Sequence, residues 1–230
     1  MLDVKIFRTV VLVLCAVGFV VTPYKSKAHF SYADPRIVHI GETDDGHLVI
    51  LIRMPVPLAL LPADWQGVIE SRVPPFGVQI GDEVFLDPGL VNADQVTFHQ
   101  HLLDGLALSL DQQILTPQVG RIRFWLDGER PGFSTPKSAL KSFARAAVQT
   151  PLPYFDATLD VEFILPGESL QSAIQINSPL GAKFQIMDEF GTIVKLHRET
   201  GTITAAMIGI LDAESDAHPT DWRRLLSLWR

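Results

Sequence analysis

The chain has 230 residues, a formal net charge of −7 and a single cysteine. A net negative charge is the opposite of the basic patch with which proteins hold nucleic acids, so DNA and RNA are excluded as partners. The one cysteine, Cys15, lies in an apolar run near the N-terminus. The chain after residue 28 therefore has no disulfide, no thiol nucleophile and no thiolate ligand for a metal.

Residues 1–28 have the three-part pattern of a secretory signal. A basic start precedes an apolar run of 13 residues, Thr9 to Val21, and the small residues Ser26 and Ala28 follow it. A membrane-spanning helix needs about 20 apolar residues. The short run therefore favours a cleaved signal over a permanent anchor, and we expect an exported protein, periplasmic or extracellular, that begins at His29.

Strand patterns dominate the remainder of the chain. Arg36–Glu42 and His47–Met54 flank an Asp-Gly step that supplies the positive φ of a tight hairpin. The second arm is apolar on both faces, which predicts a central strand, and the short stretch Leu58–Trp65 after it suits a helix. Further strands are predicted at Glu83–Leu86, Gln95–Leu103, Leu106–Leu115, Arg121–Leu126, Phe155–Leu165, Leu170–Asn177, Ala182–Met187, Thr192–Arg198 and Thr202–Leu211.

One helix is predicted within this β-rich region, at Lys137–Val148. Ser134-Thr135-Pro136 supplies a hydroxyl cap and a proline in the first turn. Its predicted apolar face consists of Leu140, Phe143, Ala144 and Ala147. Many short strands with this one inserted helix predict an antiparallel β-sandwich over residues 29–211, as one domain or as two subdomains divided near Pro151.

His99-Gln100-His101 is the sharpest candidate site. On a strand the two imidazoles would share one face, about 6–7 Å apart, and could bind one Cu²⁺, Ni²⁺ or Zn²⁺ ion. The α-amine and ring of His29 would complete the site after signal cleavage. We therefore predict a site for one Cu or Ni ion at His29, His99 and His101, with two solvated histidines as the competing interpretation.

The other histidines are expected to be structural or solvated. His39 and His47 lie on opposite arms of the first hairpin, where they could be cross-strand neighbours. His197 falls in a predicted half-exposed strand and His218 in a polar linker.

The motifs of common hydrolases and of phosphate-binding loops are absent from the sequence, which predicts a non-catalytic module. Two alternatives stay open. One is a secreted copper oxidoreductase, in which His29 and either His99 or His101 form a histidine brace. The other is a ligand-binding β-sandwich without metal that uses Trp65 or Trp125.

Residues 212–230 are predicted to be a polar linker followed by a short amphipathic helix. Trp222, Leu225, Leu226 and Trp229 fall at i, i+3, i+4 and i+7, with arginines beside them. Tryptophan and arginine on such a helix suit a membrane interface. The alternative, a terminal helix that docks on the β core, stays open.

Several of these features occur together in a characteristic order. The signal ends at Ala28-His29, an extended start follows at Asp34–Ile37, then the hairpin with Arg53–Pro57, and the β-rich region closes in the Trp/Arg helix. In this order they resemble the extracytoplasmic N-terminal region of HupE/UreJ-like membrane proteins. In that family the region precedes a bundle of membrane helices, and some relatives are associated with nickel or cobalt uptake.

The resemblance implies a membrane-associated module that handles a divalent metal beside a membrane-embedded transporter. This chain departs from the family pattern because it ends at Arg230, before any membrane bundle. It is therefore expected to be either a stand-alone relative or a chain cut before that bundle. No transport residue can be carried over to it.

Overall fold

Strands make up most of the regular structure, as the predicted mainly β fold requires. The structure is a computed structural model that describes residues 35–43, 45–62, 65, 72–110, 113–167, 174–178, 191–198, 201–208 and 211–215. Several predicted features lie outside the described residues: the signal at 1–28, His29, the strand at Ala182–Met187, His218, and the terminal helix with Trp222, Leu225, Leu226 and Trp229.

The strands and helices are numbered in chain order. The strands are β1 (Arg36–Glu42), β2 (Leu48–Pro55), β3 (Gly77–Ile80), β4 (Glu83–Leu86), β5 (Ala107–Leu110), β6 (Gln113–Leu115), β7 (Gln118–Leu126), β8 (Leu152–Pro153), β9 (Ala157–Leu165), β10 (Ile174–Ser178), β11 (Gly191–Arg198), β12 (Gly201–Ile208) and β13 (Leu211–Ser215). The helices are α1 (Val56–Leu60), α2 (Pro88–Ala93), α3 (Gln95–Asp104) and α4 (Pro136–Phe143).

A six-stranded sheet in the order β12-β11-β1-β2-β9-β7 organises the fold. The β1–β2 hairpin is antiparallel and β2 is buried in the middle of the sheet, so both predictions about it are confirmed. Gly46 in the connecting turn has the expected positive φ, 78°. Smaller sheets have the orders β13-β10-β5-β6 and β3-β4-β8.

The prediction of a purely antiparallel sheet is wrong at one place, because β1 and β11 are parallel. A parallel pair needs a long crossover connection, and most of the chain lies between these two strands. Strands from both sides of Pro151 pair in this same sheet, since β2 lies next to β9. The sheet is therefore continuous across the predicted subdivision.

One face of the six-stranded sheet is apolar, and the other carries polar side chains beside a smaller apolar cluster that includes Val49 and Leu51. On the apolar face, Ile50, Ile52, Val161 and Phe163 belong to a buried core that also includes residues of α1 and α3. Because side chains alternate along a strand, their neighbours lie on the opposite face. We call that side the polar face and define it by His39, Arg53, Asp160, Glu162 and His197.

The strand predicted at Gln95–Leu103 is wrong, because these residues form helix α3. The Asp94 carboxylate caps the helix by accepting a hydrogen bond from the Thr97 amide at 3.2 Å. Phe98 and Leu102, four positions apart, are fully buried, whereas Val96 is 82% exposed. A buried face with a spacing of four residues is helical, whereas a strand would have buried Val96 together with Phe98.

Other elements also differ from the predictions. The single strand predicted at Leu106–Leu115 is wrong, because β5 and β6 form a hairpin there. The region interpreted as loop before Ala93 contains β3 and α2, and the predicted linker from Asp212 begins within β13, which pairs with β10. Helix α4 begins as predicted with the Thr135 cap, but it ends at Phe143. Its buried residues are Ala139, Ser142 and Phe143, so the predicted apolar face is wrong except at Phe143: Leu140, Ala144 and Ala147 are exposed. The buried side of α4 thus includes the Ser142 hydroxyl, which lies 2.9 Å from an oxygen of Asp160 on β9.

Candidate functional site

Helix α3 separates the two histidines that were predicted to share a metal ion. With 3.6 residues per turn, positions 99 and 101 project about 200° apart around a helix. The prediction that His99 and His101 share one face of a strand is therefore wrong. On a helix the two rings do not fit as a pair that chelates one metal ion. Within the described part of the chain, no group of three His, Cys, Asp or Glu residues is placed to hold a metal ion.

A different histidine pair lies on the polar face. His39 Nδ1 of β1 lies 2.9 Å from His197 Nε2 of β11, and the two rings are stacked with their centroids 5.1 Å apart. Sequence reasoning missed this pair because it depends on the parallel contact of two strands that are distant in the sequence. The proposed pairing of His39 with His47 is wrong, since the residue opposite His39 on β2 is Leu51.

The hydrogen bonds of this pair fix the proton positions when both rings are neutral. His39 Nε2 lies 2.8 Å from the Phe133 carbonyl, which can only accept, so His39 Nε2 carries the proton and Nδ1 accepts. His197 Nε2 must then donate to His39 Nδ1, which leaves His197 Nδ1 as an acceptor. The Thr202 hydroxyl, 3.0 Å away, donates to it. The result is a directional chain that runs from an exposed hydroxyl to a buried carbonyl.

The surroundings favour the neutral form of both rings. The pKa of His39 is lowered from 6.5 to about 4, mainly by burial. The hydrogen bond to Phe133 raises the pKa, and the charges of His197 and Lys195 lower it further. Burial, followed by the charge of Lys195, also lowers the pKa of His197. Both histidines are therefore uncharged at neutral pH.

The segment 131–143, which we call the strap, crosses the polar face and is held by side chains from three strands. The Pro131 carbonyl accepts from Arg53 Nη1 at 2.6 Å, the Phe133 carbonyl accepts from His39, and the Ser134 carbonyl accepts from Lys195 Nζ at 2.7 Å. The Phe133 ring lies 4.4 Å from the Arg53 guanidinium carbon. The sheet's basic side chains thus satisfy a run of strap carbonyls.

A buried ion pair lies beneath the strap. Arg53 donates from Nε and Nη2 to the two oxygens of Asp160, at 2.6 and 2.7 Å. Trp125 Nε1 donates to Asp160 Oδ2 at 2.7 Å, and the Ser142 hydroxyl lies 2.9 Å from the same oxygen. Asp160 is completely buried. Trp125 is buried too, so it does not form the exposed aromatic surface that one alternative required.

A second carboxylate of the polar face has an arginine of its own. Arg121 donates from Nε to Glu162 Oε2 at 2.8 Å, from Nη2 to Oε1 at 2.6 Å, and from its backbone amide to Oε2 at 3.1 Å. Burial tends to raise the pKa of Glu162, but these hydrogen bonds outweigh it and lower the pKa. A Cβ at Gly120 would lie 2.7 Å from Glu162 Oε2, so a larger residue at this position would displace the Glu162 carboxylate.

A cleft of about 300 Å³ lies between helices α2 and α3 and strand β7, at the edge of the six-stranded sheet. His99 lines this cleft, and His101 is not among its lining residues. Its other polar lining residues are Asn92, Gln95, Arg121, Arg123 and Gln149. One of the two predicted ligand histidines is thus in a concave site, although without its expected partner.

No protein-family model matches this chain, and neither does any curated protein. Among the helices of the described segments, none combines the length and the apolar character needed to cross a membrane.

Proposed function

We propose that this chain is an exported, non-catalytic β module that associates with a membrane and serves beside a HupE/UreJ-like transporter. The single observation that carries the non-catalytic part is the pairing of both carboxylates on the polar face. Asp160 is bound by the two-pronged guanidinium of Arg53, and Glu162 by that of Arg121.

A general acid or base must exchange a proton with a substrate within hydrogen-bond reach. On the polar face the carboxylate oxygens are already occupied by internal donors, and Arg53, His39 and Lys195 bond to the strap carbonyls. Such an arrangement supports a structural role, in which the polar groups fix one covering segment over the sheet. We interpret the polar face as the device that holds the module together.

The predicted sandwich is also part of this proposal. Leu106 is buried in the main core, and Leu115, the last residue of β6, packs against that core. These contacts support a stacking of the four-stranded sheet on the apolar side of the six-stranded sheet.

Membrane association is proposed from the sequence pattern of Trp222, Leu225, Leu226 and Trp229. Co-sedimentation with liposomes tests it, using the chain that begins at His29 and the same chain shortened by residues 219–230. We expect the shortened chain to stay in the supernatant while the longer one sediments. Equal sedimentation of the two would remove the terminal helix from the proposal.

Metal handling is proposed with a smaller ligand set than the sequence suggested. The amine and ring of His29 would act with only one of His99 and His101, because both cannot face one ion from helix α3. The cleft position of His99 favours that residue as the partner.

A further inference from the structure

We propose that the cleft between α2, α3 and β7 binds a small organic carboxylate, with Arg123 as the residue that receives the carboxylate group. This inference does not depend on the proposed membrane role, and it shares only His99 with the proposed metal role. It rests on the charges, hydrogen bonds and lining of the cleft.

The lining is basic in a protein whose net charge is negative. Arg121, Arg123 and His99 line the cleft, and no Asp or Glu is among its described lining residues. Across the whole chain, acidic residues outnumber basic ones by 26 to 19. The cleft is therefore a local region of opposite charge, which favours an anion.

The two arginines differ in whether their charge is neutralised. Arg121 forms its ion pair with Glu162 at 2.6 Å. Arg123 instead donates from Nε to the Arg145 carbonyl at 2.8 Å and from Nη1 to the Ile122 carbonyl at 2.7 Å. These neutral acceptors orient the guanidinium without cancelling its charge. Within the described residues Nη2 has no hydrogen-bond partner, so this edge of the fork can donate to a carboxylate oxygen.

The rest of the lining defines the remainder of the ligand. Val91, Ile122, Phe124 and Val148 supply an apolar wall, while Gln95 and Gln149 supply amides. A volume of about 300 Å³ is at the lower end of ligand pockets in proteins. The combination fits a molecule that carries one carboxylate on a compact apolar body.

Titration calorimetry with phenylacetate, at constant ionic strength and on the full chain, tests the proposal. Phenylacetamide is the matched uncharged probe, and inorganic phosphate is the probe for a site that recognises any anion. We expect one phenylacetate per chain, with an affinity at least about tenfold higher than that of phenylacetamide, since loss of an ion pair costs about that much. Arg123→Gln should weaken phenylacetate binding to the level of phenylacetamide.

Two further variants keep the test decisive. Arg130→Gln, a charge change in the turn before the strap, should leave the affinity within about twofold of the parent protein, as expected for a distant site. If Arg123→Gln does not fold, Gln95→Trp fills the cleft from an exposed position and should abolish binding.

Three results of the phenylacetate titrations would overturn the proposal. They are equal binding of phenylacetate and phenylacetamide, equal effects of Arg123→Gln and Arg130→Gln, and the lack of saturable binding up to about 10 mM, a concentration at which even a weak specific complex would form. Tighter binding of phosphate than of phenylacetate would also overturn it, because the cleft would then be a general anion site.

Discussion

His39 Nδ1 and His197 Nε2 lie 2.9 Å apart although the two residues are separated by 158 positions in the sequence. Their contact exists because β1 and β11 are parallel neighbours that place the two side chains on the same face. Since His39 also bonds to Phe133, the pair connects β11 to the strap. The protonation of this pair should therefore affect the stability of the whole fold.

The first prediction concerns pH. The pKa of His39 is lowered from 6.5 to about 4 in the folded protein, so between these values the unfolded chain binds more protons than the folded one. The free energy of unfolding should consequently fall as the pH falls from about 6.5 towards 4, and its dependence on these histidines should vanish above the unfolded pKa. Urea unfolding at a series of pH values measures this.

His39→Gln removes the titrating group and should flatten that pH dependence. His101→Gln is the matched control, because His101 lies on α3 and outside the pair. If both variants keep the slope of the parent protein, the histidine pair does not control acid stability.

The second prediction concerns the buried ion pair. Arg53→Met leaves the Asp160 carboxylate buried without its cation, and we expect a loss of about 3–5 kcal/mol in the free energy of unfolding. Arg130→Met breaks the exposed contact with Asp127, at 3.5 Å, and should cost less than about 1 kcal/mol. Chemical unfolding of the two variants provides the comparison, and similar losses would contradict the structural role of the polar face.

The third prediction tests helix α3. Phe98 is fully buried and Val96 is 82% exposed, so Phe98→Ala should cost about 3–5 kcal/mol and Val96→Ala less than about 0.5 kcal/mol. In the strand predicted for this segment both side chains face the core, and both substitutions would be costly. Comparable destabilisation by the two would thus favour the strand over the helix.

These cases show what the sequence could and could not predict. The β1–β2 hairpin was predictable because the Asp-Gly turn and the apolar arms agree locally, and the start of α4 because Thr135 caps the backbone amide of Ser138. The structure of segment 95–104 was not predictable from its pattern. Its apolar residues at 96, 98 and 102 match the alternation of a strand, but those at 98 and 102 match one face of a helix equally well. Only the tertiary packing of Phe98 decides between them.

The polar face was harder to predict for another reason. Arg53, Asp160 and the strap are distant in the sequence, and only the pairing of β2 with β9 brings them together. Likewise, no local pattern connects His39 to His197. His99 and His101 were selected because they are close in the sequence. In a helix, residues two positions apart point to different sides, so this closeness does not bring the two rings together.

The fourth prediction concerns the metal. A chain that begins at His29 should bind about one Cu²⁺, and binding should weaken as the pH falls, because the imidazole and amine ligands must be neutral. One extra residue before His29 should abolish tight binding. Calorimetry with His99→Ala and His101→Ala separately should show an effect in one variant only. Unchanged Cu²⁺ binding in all of these variants would contradict the proposed metal site.

Export of this module, on which the proposed function depends, is tested most directly by the mature N-terminus. The full chain would be expressed in a Gram-negative host, followed by fractionation and by intact mass and N-terminal sequencing of the product. We predict a periplasmic or membrane-associated product that begins at His29. A product that keeps Met1 and stays in the cytoplasm would contradict the proposal.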